Sequence, residues 1–104
     1  MDACIIMTTF ENEAQAKPVI SRLITDKLVA CVQTTEIKSH YTWNDEVHHD
    51  SELLVMLKTT KALSDNVERV LEDIHPYDTP EIMCIDASTS AGYGAWMKSV
   101  TRDD

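Results

Sequence analysis

The amino-acid sequence predicts an α+β domain in which four strands and two helices alternate as β-α-β-β-α-β, followed by a short closing helix. Three observations carry that expectation. Apolar, β-branched runs recur four times; two stretches of helical spacing lie between them; and one sharp turn signal, Asn44-Asp45, joins the two longest strand-like segments.

Ala3 to Met7 is a short continuous apolar run, as expected of a buried central strand. Asn12 followed by Gln15 has the form of a capping box, and Ala16, Val19, Ile20, Leu23 and Ile24 continue at helical spacing. A helix over residues 12–27 follows, although Pro18 removes one backbone donor from it. Residues 28–43 read as one long strand. Asn44 and Asp45 both tolerate positive φ, as a two-residue hairpin turn requires, and the return strand runs from Glu46 to about Thr60. Leu63, Val67, Val70, Leu71 and Ile74 then mark an amphipathic helix, with Thr60 as its expected N-cap and Pro76 as its stop. Ile82 to Ile85 is the fourth strand, and Tyr93 to Val100 the closing helix.

This order is the split βαβ, or ferredoxin-like, sandwich with an extended β2-β3 hairpin. Both helices lie on one face of the sheet, yet the return strand is apolar on both faces (Leu53 to Leu57). The uncovered face calls for a partner, and an oligomer is expected.

At 104 residues the chain is a single domain, 1–104, large enough for a real core. Its net charge of −9 repels phosphate backbones and anionic lipid, so neither nucleic acid nor membrane is an expected partner. Cys4, Cys31 and Cys84 each sit in an apolar run. They are expected to be buried, reduced thiols of a cytoplasmic protein.

The strings Ala30-Cys31-Val32-Gln33, Ser39-His40-Tyr41-Thr42-Trp43 and Glu52 to Thr59 resemble the CutA family, as do His75-Pro76-Tyr77-Asp78-Thr79-Pro80-Glu81 and Tyr93-Gly94-Ala95-Trp96. The resemblance covers almost the whole chain. It implies a tightly packed homotrimer of ferredoxin-like subunits, a link to divalent-cation tolerance, copper binding in some members, and kinship of shape with the PII signalling trimers. Two departures stand out. Asp45-Glu46 replaces the Gly-Lys that many members carry, and Met7-Thr8-Thr9 stands where some members carry a cysteine suited to a soft metal.

No nucleophile elbow, phosphate loop or Cys-x-x-Cys pair is present, so no enzyme activity is expected. The expected partners are a second and third copy of the chain and a divalent metal ion, Cu²⁺ or another, with no other cofactor. Two ligand pairs present themselves. His75 and Glu81 flank a stiff Pro-Tyr-x-x-Pro loop; their alternative role is to stop a helix and start a strand. A two-residue turn at Asn44-Asp45 sets His40 opposite His49, where two imidazoles can share one ion. Two solvated histidines are the plainer reading of that pair, because spacing supplies no third ligand. Two other functions remain open: a PII-like sensor taking a small ligand in a cleft between subunits, and an assembly module for a partner protein.

Overall fold

The computed structural model describes residues 2–103. It has β1 (Asp2–Phe10), α1 (Glu13–Thr25), β2 (Cys31–Trp43), β3 (Glu46–Thr60), α2 (Ser64–Ile74), β4 (Met83–Ser88) and α3 (Ala91–Val100), with a single 3₁₀ turn, Lys61–Leu63, before α2. The four strands form one antiparallel sheet in the order β2-β3-β1-β4. The ferredoxin-like α+β sandwich expected from the sequence is the architecture observed.

Local chemistry accounts for most element ends. Asn12 caps α1 by accepting the Gln15 N–H at 2.9 Å, while Gln15 reaches back to the Glu11 N–H at 2.8 Å. Ser90 caps α3 in the same way through the Tyr93 N–H. Asn44 and Asp45 have φ of 52° and 63°, so the hairpin closes on two left-handed residues. Some expected boundaries move. Thr60 ends β3 and makes no side-chain cap; the 3₁₀ turn intervenes, and Ser64 closes it by bonding the Lys61 carbonyl. Leu28 and Val29 are buried but precede β2, because the chain must first turn through Lys27, which takes a φ of 57°.

The core lies between the sheet and the first two helices. Cys4, Ile6 and Phe10 of β1 and Leu53, Val55 and Leu57 of β3 meet Ala16, Val19 and Leu23 of α1 and Val67 and Leu71 of α2. Strand alternation puts Ile5 and Met7 on the opposite, outer face. There Met56, Met7 and Met83 lie side by side across three strands. Met83 is 58% and Ile85 44% exposed, so this apolar face is open in the single chain. The accessible surface of 6480 Å² exceeds the roughly 5,900 Å² typical of a chain this size. The hairpin is the cause: its tip runs beyond the core and stretches the molecule to 45 Å along one axis.

The thiol expectation is corrected. Cys4 is joined to Cys84, Cys84 lies on the exposed edge strand, and Cys31 is free but only partly buried. The β1-β4 register sets Cys4 opposite Asp86 and Cys84 opposite Ile6, which makes the two cysteines diagonal neighbours on one face. Nothing local to either cysteine announces that pairing.

Candidate functional site

The hairpin register is the one that a two-residue turn dictates. His40 faces His49, Tyr41 faces His48, and Trp43 faces Glu46. The His40 and His49 rings meet edge-on with centroids 4.5 Å apart, and their Nδ1 atoms approach to 2.6 Å. A contact of this kind between two imidazoles needs a proton on one nitrogen and a bare lone pair on the other. Both side chains are exposed. Two bonds of about 2.05 Å at a tetrahedral angle would hold the nitrogens about 3.3 Å apart, so an ion fits after a small outward shift of the rings.

The second expected pair is not arranged as a ligand pair. His75 is buried and stacks on Phe10, with ring centroids 4.3 Å apart and planes 12° from parallel. Its Nδ1 accepts the Tyr77 N–H at 3.0 Å, which requires that nitrogen to be unprotonated; Nε2 therefore carries the proton and donates to the Thr9 carbonyl at 2.9 Å. Burial lowers the His75 pKa, opposed more weakly by the Thr9 bond. Both ring nitrogens are spent inside the chain. Glu81 instead lines a cleft of about 800 Å³ between the hairpin and the loop after α2. Its carboxyl is pushed up by burial and, secondarily, by the charge of Glu52.

That cleft contains what sequence reasoning missed. The Tyr77 hydroxyl donates to Glu52 Oε2 at 3.0 Å, and the Tyr41 hydroxyl donates to Asp50 Oδ2. Burial raises the Tyr77 phenol well above its ordinary value, with the Glu52 hydrogen bond adding to it; for Tyr41 the Asp50 bond is the larger cause. The Tyr41-Asp50 contact was legible, because Asp50 lies two residues along β3 from His48, the partner of Tyr41. The Tyr77-Glu52 contact spans 25 residues and two elements, and no pattern marks it. Among the described residues no group of three or more His, Cys, Asp or Glu side chains is arranged to hold a metal ion.

A chain with this hairpin, this loop and this sheet order matches the family described as CutA1 divalent ion tolerance protein over residues 4–100. The chain belongs to the CutA1 family. The divalent-cation tolerance protein CutA of Pyrococcus horikoshii is 30% identical over 99 residues, covering 94% of this chain and 97% of that protein. The chloroplastic protein CutA 1 of Oryza sativa is 31% identical over 101 residues, 95% of this chain and 57% of that longer protein. Among solved structures, a point mutant of CutA1 from Pyrococcus horikoshii OT3 superposes with a TM-score of 0.93 at 31% identity, over 96% of this chain and 99% of that one. CutA1 from Ehrlichia chaffeensis gives 0.90 at 32% identity, over 96% and 95%. The CutA1 description names tolerance of a divalent ion and no catalysed reaction.

Proposed function

We propose that this CutA1 chain works as a homotrimer in the response to divalent metal ions, and that each subunit takes one imidazole-preferring ion, Cu²⁺ foremost, between His40 and His49. The observation that carries the metal reading is the pair of Nδ1 atoms facing each other at 2.6 Å on an exposed stretch of hairpin. Imidazole suits Cu²⁺ and Zn²⁺, and solvent or a neighbouring subunit completes the coordination. The net charge of −9 favours approach of any cation. His75 is the weaker candidate, because a metal at either ring nitrogen must first break a hydrogen bond to the backbone. Self-association is supported by the open apolar face around Met7, Met56, Met83 and Ile85.

Calorimetric titration with Cu²⁺ tests the site. Binding should be lost in His40→Ala and kept in His75→Ala, and it should strengthen as pH rises, because the ion displaces an imidazole proton. The opposite pattern would move the site to His75 and Glu81. Equal binding by the wild type and both variants, fading in added salt, would reduce it to attraction by the acidic surface. Light scattering at micromolar concentration tests the trimer; a stable monomer refutes it.

A further inference from the structure

His75 sits at a junction. Its ring is held between the end of β1, through the Thr9 carbonyl and the Phe10 ring, and the loop after α2, through the Tyr77 N–H. Its own backbone N–H closes α2 on the Leu71 carbonyl. The Tyr77 side chain then crosses to β3 and holds Glu52 in the cleft wall. One imidazole thus links the packing of the core to the position of a loop that lines the cleft.

We propose that His75 is a proton-operated latch: a proton taken up from solvent at Nδ1 turns the acceptor of the Tyr77 N–H into a second donor, breaks that bond, and frees the loop at Tyr77 and its phenol from Glu52. The argument is one of donor and acceptor count. In the neutral ring each nitrogen is matched, one accepting and one donating. In the imidazolium both nitrogens carry protons, so the Thr9 bond survives while two N–H groups confront each other across 3.0 Å. The loop, stiff between Pro76 and Pro80, is displaced as a unit and the core is not, because Phe10 is fully buried whereas Asp78 and Thr79 are exposed.

The surroundings decide the direction. From β1 the ring meets a carbonyl and an apolar ring, neither of which titrates. From α2 it meets the negative end of a helix, which favours the charged form. From the loop it meets Tyr77. The carboxylates of Glu11 at the end of β1 and Glu52 on β3 act on the Tyr77 phenol. Glu81, beyond the loop, faces Glu52. Burial is the larger influence on the ring and lowers its pKa, against the Thr9 hydrogen bond, which raises it. The latch stands independently of any metal at the hairpin.

The test is an NMR titration of the full chain from pH 8 to pH 4.5, following the His75 ring, the Tyr77 amide and the Glu52 carboxyl carbon. The three should move with one midpoint, below the ordinary histidine value, and exchange protection of the Tyr77 amide should fall about tenfold, as one lost hydrogen bond implies. In His75→Gln the Tyr77 amide should show no step at that midpoint. Should that variant not fold, Tyr77→Phe serves: its amide keeps the step while Glu52 loses it. A Tyr77 amide that stays still while the His75 ring titrates, or that follows the carboxylates and not the ring, overturns the latch. So does a step retained in His75→Gln.

Discussion

Thr8→Val and Thr59→Val make the same change on neighbouring strands, and the structure assigns them opposite signs. Both threonines are fully buried on the helix-facing side, Thr8 opposite Val55 and Thr59 opposite Cys4. Valine matches threonine in shape and in strand preference, so the hydroxyl is what each substitution measures. Thr8 Oγ1 has no hydrogen-bond partner among the described residues, whereas Thr59 Oγ1 donates to the Leu28 carbonyl at 2.6 Å. An unpaired buried hydroxyl costs about 1–3 kcal/mol, so Thr8→Val should stabilise the chain by about 1 kcal/mol. Thr59→Val removes a bond and leaves the Leu28 carbonyl without that donor, and should cost about 1–3 kcal/mol. Urea unfolding reads both at one fixed protein concentration, since self-association would make the midpoint concentration-dependent. With a slope of about 1–3 kcal/mol per molar, each kcal/mol moves the midpoint by about 0.3–1 M, upward for Thr8→Val and downward for Thr59→Val, with the slope unchanged. Midpoints moving in the same direction, or a destabilised Thr8→Val, would refute the reasoning.

Three further outcomes follow from the same structure. The folded chain holds His75 neutral with its pKa lowered from 6.5, so below that value the unfolded chain binds more protons. The contribution of His75 is therefore complete above pH 6.5 and is lost progressively as pH falls towards the folded value; urea midpoints should show this slope in the wild type and not in His75→Gln. Tyr77→Phe should cost about 1 kcal/mol in urea unfolding through the lost bond to Glu52, the value of an ordinary hydrogen bond at a half-buried site. Met83→Asp changes a side chain that is 58% exposed in the single chain, so its circular dichroism should match the wild type. Its mass by light scattering should fall if the outer face joins subunits, and an unchanged mass would place the interface elsewhere.

The sequence alone determined whatever depends on neighbours along the chain. Asn44-Asp45 sets a two-residue turn, and a strand period of two then places every pair of the hairpin, His40 and His49 among them. Asn12 with Gln15 announced the start of α1, and the apolar spacing of Val67 and Leu71 announced the buried face of α2. The 3₁₀ turn that displaced Thr60 from its expected cap was invisible, because it arises where β3 must re-aim the chain into α2. Only the tertiary structure decided the register of β4 on β1, and with it the meeting of Cys4 with Cys84. It also decided the fate of His75, whose partner Thr9 lies 66 residues away and whose second partner, Tyr77, turns a motif that resembled a ligand set into a closed hydrogen-bond circuit. A local pattern records spacing along one segment. The second partner of a side chain is chosen by packing between segments, and for His75 that choice rests on the burial of Phe10 against its ring.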